Sequence, residues 1–173
     1  MLKHRSRLIG GAGALVTMAA IAVSGVMTAS AAPASARGAV SGTEHFQMMT
    51  TSGTGTTGSV IASGVFTAPA VDHEHQATNT STFTFANGTI NIKHSNGTGT
   101  QHFDPKTCLM TISLHGTYKL TSGTGAYAGI SGSGNYQLSI LAIGASSGGK
   151  CVQNEPPVAF HQVINASGPV TLP

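Results

Sequence analysis

Residues 108–120 read CLMTISLHGTYKL, and this stretch decides the fold predicted for the chain. From position 110 onward the even-numbered residues are apolar, aromatic or glycine, whereas the odd-numbered residues are all polar. A period of two is typical of a β-strand with one buried face, because successive side chains of a strand point to opposite sides. We therefore predict a long strand over 107–120. The inward side chains that we take as candidate ligand contacts are Met110, Ile112, Leu114 and Tyr118.

The same alternation continues toward both ends of the chain. Residues 135–143 place Tyr136 and Leu138 on one apolar face, and both are further candidate ligand contacts. Residues 59–67 repeat the pattern more weakly, with Val60 and Phe66 on one side. These runs predict two more strands with one inward face each.

Turn signals separate the alternating runs. Asn87-Gly88 lies between 81–86 and 89–95, and Asn96-Gly97 follows; such dipeptides favour tight two-residue hairpins. His94 continues the inward face of residues 90 and 92. We therefore expect His94 inside the fold, either as a hydrogen-bonded core histidine or as a general base, and we include it among the candidate ligand contacts.

The pattern as a whole indicates a single all-β domain. No segment of useful length carries the i, i+3, i+4 apolar spacing of a helix. The runs predict about eight strands, at 44–50, 58–68, 71–78, 81–86, 89–95, 107–120, 134–144 and 157–171. Their architecture is an antiparallel barrel or, as the alternative, a two-sheet β-sandwich. We favour the barrel because closure removes the sheet edges, which a chain with only 8% charged residues has few means to protect.

Residues 1–31 have the pattern of a secretory signal peptide. A basic start with Lys3, Arg5 and Arg7 precedes an apolar stretch over 8–27, and Ala29-Ser30-Ala31 supplies small residues before a cleavage site. A retained membrane anchor is the alternative, but glycine and serine interrupt the apolar stretch. We therefore predict a secreted, extracellular protein with no membrane attachment after cleavage. Residues 32–42 are expected to be a flexible lead-in, and 43–173 the barrel domain.

The charge balance argues against a nucleic-acid partner. The whole chain has 8 Lys and Arg against 5 Asp and Glu, but three of these cations lie in the predicted signal peptide. Five cations and five acids remain after cleavage, so no basic patch is available for a phosphate backbone. A neutral chain also has no field to steer a charged ligand, and we expect an uncharged one.

Cys108 and Cys151 are the two cysteines, and in an exported protein such a pair predicts a disulfide. The bond would close a loop of 43 residues and stabilise the fold by about 4 kcal/mol in the chain-entropy model.

Asp72-His73-Glu74-His75 is the one polar cluster that could hold a metal. On a strand His73 and His75 share a face, and two such imidazoles can bind one zinc ion. No second zinc motif accompanies them, so we predict a solvated strand end, no metal and no other cofactor.

One segment resembles a known family. Residues 123–134, GTGAYAGISGSG, together with the alternating strand that follows, are similar to the G-T-G-x-[YF]-x-G-x-x-G-x-G segment of the allene oxide cyclase and dirigent barrel superfamily. FDPKTC at 103–108 and HGTY at 115–118 resemble small secreted actinobacterial proteins with such barrels and no assigned activity. The resemblance implies an eight-stranded antiparallel barrel around an apolar cavity. It transfers no catalytic residue, because none of the five acids outside the signal peptide aligns with the family's catalytic carboxylate.

Three classes of function stay open. The first is a non-enzymatic secreted barrel that binds a small apolar ligand, and the composition favours it because acids for proton transfer are few. The second is a cyclase or isomerase acting in the same cavity, which a buried Glu or Asp in the cavity wall would favour. The third is a surface interaction protein. The oligomeric state is not predicted.

Overall fold

The computed structural model of the protein describes residues 38–53, 56–152 and 154–173. The predicted signal peptide and most of the predicted lead-in lie outside these residues. The chain forms strands β1 (Val40–Thr50), β2 (Thr57–Ser63), β3 (Ala68–His75), β4 (Thr80–Phe85), β5 (Gly88–His94), β6 (Thr98–Asp104), β7 (Leu109–Gly123), β8 (Ser131–Ile143), β9 (Ser146–Ser147), β10 (Lys150–Cys151) and β11 (Ala159–Leu172). Two short 3-10 turns, Gln76–Thr78 and Gly125–Tyr127, are the helical elements of the described residues, and none there is long and apolar enough to span a membrane.

Eight strands close into an antiparallel barrel, as predicted. Their order around the barrel is β5-β4-β3-β2-β1-β11-β8-β7, and the pairing of β5 with β7 completes the ring. Each neighbouring pair is antiparallel, with residues such as Phe46 and Ala166 opposite each other in β1 and β11. The two-sheet sandwich is therefore excluded.

β6 is an additional strand that the sequence analysis missed. It pairs with the first half of β7, from Thr98 opposite His115 to Asp104 opposite Leu109, while β5 pairs with the second half. The predicted hairpin at Asn96-Gly97 is wrong, because the chain continues along the same edge of β7 instead of reversing. Ser95 holds this break in place: its N–H donates to the Thr117 carbonyl at 2.9 Å, and its hydroxyl accepts the Thr117 N–H at 2.9 Å.

The buried core fills the closed part of the barrel. Its largest fully buried apolar side chains are Phe46, Val60, Phe83, Ile90 and Val170. At one end the rings of Phe66, Phe85 and Tyr127 pack together, with centroids 4.5 Å apart for Phe85 and Tyr127 and 5.0 Å for Phe66 and Tyr127. This end is therefore occupied by protein side chains.

β7, β8 and β11 run past the closed ring at the other end. There Met110, Ile112 and Leu114 face the interior side but are only half-buried, because β6 and not a closing strand lies next to them. These three side chains therefore lie on the inward face of β7, as predicted, but outside the buried core.

Glycine is required where the barrel strands approach most closely. A Cβ on Gly134 would overlap the carbonyl oxygen of Ser167 on β11, and Gly125 adopts a φ of +58° against the carbonyl of Asn87. Any other residue would push these segments apart. This explains the glycine-rich run over 123–134.

Candidate ligand-binding site

A cavity of about 300 Å³ opens at the end of the barrel where β7, β8 and β11 extend beyond the ring. Its apolar walls come mainly from β1, β8 and β11, and its polar groups come from β3, β4 and β5. The apolar side chains at this cavity are Phe46, Met48, Phe83, Ile92, Leu138, Ile140, Ile164 and Ala166. The cavity therefore has one polar side and one apolar side.

β3 supplies the acids because of its strict alternation. Asp72 is 7% exposed and Glu74 is half-buried, and both line the cavity. Their neighbours His73 and His75 are exposed on the outer face of the strand. The two histidines share one face, as predicted, but the buried Asp72 is not part of a solvated strand end.

Glu74 lies in a hydrogen-bonded group with residues of the next two strands. Its carboxylate oxygens are 3.1 Å and 3.3 Å from His94 Nε2 on β5, and Oε2 accepts a bond from the Ser81 hydroxyl on β4 at 2.5 Å. Burial acts to raise the pKa of Glu74, but its bonds with His94 and Ser81 hold that pKa below its usual value. Glu74 is therefore ionised at neutral pH.

His94 completes an ion pair with Glu74. Its bond with Glu74 raises the pKa of His94, against the opposite effect of burial. The other ring nitrogen, Nδ1, lies 3.3 Å from the Ser95 carbonyl, which can only accept a hydrogen bond. Because both ring nitrogens face acceptors, the doubly protonated imidazolium is favoured. His94 is therefore a hydrogen-bonded histidine at the cavity, partly exposed and not part of the buried core.

Asp72 is the member of the polar group whose carboxyl group is only partly satisfied. Its Oδ1 atom is buried and has no hydrogen-bond partner. Burial, and then the negative charge of Glu74, raise the pKa of Asp72 to about 7, while Ser81 and His94 oppose the shift. At neutral pH the cavity therefore holds a carboxyl group that can gain or lose a proton.

Two tyrosines stand between the polar and apolar sides. Tyr136 donates its hydroxyl to the Ser95 carbonyl at 2.9 Å and lies edge-on to His94, with ring centroids 6.2 Å apart. The Tyr118 hydroxyl is buried without a partner, and burial followed by the charge of Glu44 raises its pKa to about 12. Tyr118 therefore stays neutral and can offer its O–H as a donor.

The structure brings together four of the seven candidate ligand contacts. His94, Tyr118, Tyr136 and Leu138 line the cavity, whereas Met110, Ile112 and Leu114 lie outside it on the extension of β7. Sequence reasoning named Asp72 and Glu74 only as neighbours of two histidines and missed their place in the cavity. The signal that could have found them is the alternation of β3, which sets these acids on the face of Ala68 and Ala70.

Glu44 is a second buried acid, and it serves the fold. It is 0% exposed, and its Oε2 atom accepts the backbone N–H of Phe66 at 3.1 Å, which fastens the connection between β2 and β3. Burial raises the pKa of Glu44 above its usual value. It does not line the cavity.

The disulfide prediction is confirmed. Cys108 and Cys151 form a disulfide with Cα atoms 5.5 Å apart, which ties the start of β7 to β10. Within 38–53, 56–152 and 154–173 no three His, Cys, Asp or Glu side chains form a group that could hold a metal ion.

The chain was compared with family models, with curated proteins and with solved structures, and none of the three comparisons found a match.

Proposed function

We propose that the protein binds a small, mainly apolar molecule in the cavity at the open end of the barrel. The observation that carries this proposal is the cavity itself: about 300 Å³, with apolar walls and a few clustered polar groups. This combination is typical of small-molecule sites, in which apolar walls give affinity and a few polar groups set orientation. An eight-stranded barrel is wide enough either to be filled by its own side chains or to hold one small ligand. Here the aromatic cluster fills one end only.

Binding of N-phenyl-1-naphthylamine, an uncharged apolar probe that fluoresces on leaving water, tests the proposal. We expect saturable binding to the folded protein with its disulfide intact. Leu138→Trp, which enlarges a side chain in the cavity wall, should block it. Leu141→Trp is the matched control, because Leu141 lies on the same strand and is 50% exposed on the outer face. Non-saturable binding, or equal binding by both variants, would contradict the proposal.

Export to an oxidising compartment is part of the same proposal. The basic start, the apolar stretch and the Ala-Ser-Ala sequence over 1–31 support it, and so does the disulfide, since such bonds persist in oxidising environments. The intact mass of protein recovered from culture medium should correspond to a chain that begins at Ala32. Recovery of only the full-length chain, held in membranes, would overturn this part.

A proton-transfer enzyme is the second candidate, and Asp72 favours it. This buried acid lines the cavity, and its pKa of about 7 suits an acid or base at neutral pH. Ring opening of 5-nitrobenzisoxazole, an apolar carbon acid, measures such activity without knowledge of the natural substrate. The expected rate rises with pH through about 7 and is lost in Asp72→Asn. A rate equal to that in buffer would contradict the enzyme function, and ligand binding would remain as the proposed function.

The relationship to the allene oxide cyclase and dirigent barrels stays a proposal. The sequence of 123–134 and the closed eight-stranded antiparallel ring support it. It would place substrate or ligand in the same end cavity.

A further inference from the structure

The polar side of the cavity carries an uneven set of charges. Two carboxyl groups, Asp72 and Glu74, face the cavity beside a single cationic side chain, His94. The cavity's remaining polar residues are uncharged. Lys93 and Lys119, on the strands that carry His94 and Tyr118, are exposed and do not line the cavity. With Asp72 ionised, this corner of the cavity therefore holds one net negative charge.

Only one of the two carboxyl groups has its charge balanced within the protein. Glu74 is bound by His94 and by the Ser81 hydroxyl. Asp72 is more than nine-tenths buried, and its Oδ1 atom accepts no hydrogen bond. A buried acceptor without a donor costs free energy, and a buried carboxylate costs more. A bound molecule that donates to Oδ1 would remove this cost.

The aromatic rings around Asp72 favour a cation as that donor. Phe83, which pairs with Asp72 across β3 and β4, also lines the cavity, as do Tyr118 and Phe46. Aromatic faces attract cations, and the attraction increases when water is excluded. A carboxylate or phosphate at the same place would be repelled by two acids.

We propose that the cavity takes a small apolar molecule with one ammonium group, whose N–H groups bind Asp72 and Glu74. This inference rests on the proposed binding function and names the chemical class of its ligand. It replaces the expectation of an uncharged ligand, because the zero net charge of residues 32–173 hides a local negative charge at the cavity. The small volume limits the apolar part to a compact group.

Four fluorescent naphthalenes of similar size test the head group. They are 1-(aminomethyl)naphthalene as the cation, 1-naphthalenemethanol as the neutral donor, 1-ethylnaphthalene without a polar head, and 1-naphthoic acid as the anion. Each is titrated at pH 8 against the full folded domain with its disulfide intact. We expect the cation to bind at least about tenfold more tightly than the ethyl compound, because a hydrogen bond to a charged group in a buried site can contribute that much. The anion should bind most weakly.

Substitutions of the two cavity acids test whether they cause the preference for the cation. Asp72→Asn should remove the preference for the cation, expressed as the affinity for the cation relative to the affinity for the ethyl compound in the same variant. Glu74→Gln should reduce the preference in the same direction, and it serves as the test if Asp72→Asn fails to fold. Glu155→Gln, which neutralises an exposed acid away from the cavity, is the matched control and should change nothing.

The possible failures are distinguishable. If the ethyl compound or the alcohol binds as tightly as the cation, the ammonium inference is wrong and the binding function stands. If both Asp72→Asn and Glu74→Gln keep the full preference, the inference is likewise wrong. If none of the four probes binds, the proposed function itself fails.

Discussion

At Asp72 the barrel carries a cost in stability that an uncharged side chain of the same size would avoid. The carboxyl group is 7% exposed, and one of its oxygens has no donor within the protein. Burial therefore raises its pKa to about 7 from an ordinary value of 3.8. Such groups cluster at functional sites, where a ligand and not the fold supplies the missing partner.

The free energy of unfolding should consequently fall as the pH rises from the ordinary pKa of an aspartate to the raised pKa of Asp72. Between about 4 and 7 the folded state keeps a proton that the unfolded state has lost, so unfolding becomes easier as the pH increases. Asp72→Asn should stabilise the protein by up to about 4 kcal/mol at pH 8 and leave it nearly unchanged at pH 4. Glu74 and His94 also titrate nearby, so the comparison is made between variant and parent at each pH. Urea unfolding measures it, and a variant less stable than the parent at pH 8 would contradict the assignment.

The ion pair of Glu74 and His94 gives a second prediction at this scale. Glu74 has the largest effect in raising the pKa of His94, so Glu74→Gln should lower that pKa, although Ser95 and Asp72 still act to raise it. NMR titration of the His94 ring protons measures the change. Glu155→Gln, which neutralises an exposed acid that does not line the cavity, serves as the matched control and should leave the pKa of His94 unchanged. An unshifted His94 would show that the pair is not formed in solution.

At the scale of elements, β7 organises the open end of the barrel. It has 15 residues, long enough to pair with β5 along one half and β6 along the other. This explains why the Asn96-Gly97 signal did not produce a hairpin: a hairpin there would leave the first half of β7 without a partner on that edge. Backbone pairing outweighs a local turn preference when the edge would otherwise be unsatisfied.

The disulfide holds the start of β7 in place at this end. Cys108→Ala should lower the free energy of unfolding by about 2–5 kcal/mol, as for other small disulfide-bonded domains. Adding Cys151→Ala should cost nothing more, because both changes remove the same bond. Chemical denaturation of the two variants measures this. A large further loss in the double variant would mean that Cys151 contributes by some route other than the disulfide.

At the scale of the whole molecule, the barrel has a filled end and an open end. Ile90 is 0% exposed within the filled part, whereas Ile112 is half-buried on the extension of β7. Both face the interior side of their strands. Their exposure therefore differs because the ring of strands closes around Ile90 but not around Ile112, although both residues follow the same sequence pattern.

Shortening one isoleucine side chain in the filled part and one on the extension of β7 should reveal this difference in packing. Ile90→Ala should cost about 3–4 kcal/mol, within the range for a fully buried isoleucine, and Ile112→Ala less than about half as much. Thermal or urea unfolding of the two variants gives the comparison, with circular dichroism to confirm that both retain the β fold. Equal losses would mean that the extension is as tightly packed as the ring.

The sequence by itself determined that the fold is all-β, favoured the barrel over the sandwich and predicted the disulfide. Period-two alternation is a local property, so β7, β8 and the Asn87-Gly88 hairpin were predictable from consecutive residues. The alternation also placed Tyr118, Tyr136, Leu138 and His94 on inward faces, and all four line the cavity. The pairing of Cys108 with Cys151 followed because the chain has no other cysteine.

Only the tertiary structure decided which inward faces meet in the cavity. Alternation tells the side of a strand on which a residue lies but not where along the barrel axis the ring closes, so Ile112 and Ile90 were indistinguishable beforehand. Asp72, Ser81 and His94 come from three strands, and their approach depends on register between β3, β4 and β5. The charge of the cavity arises from that approach, because burial and proximity are properties of the folded chain.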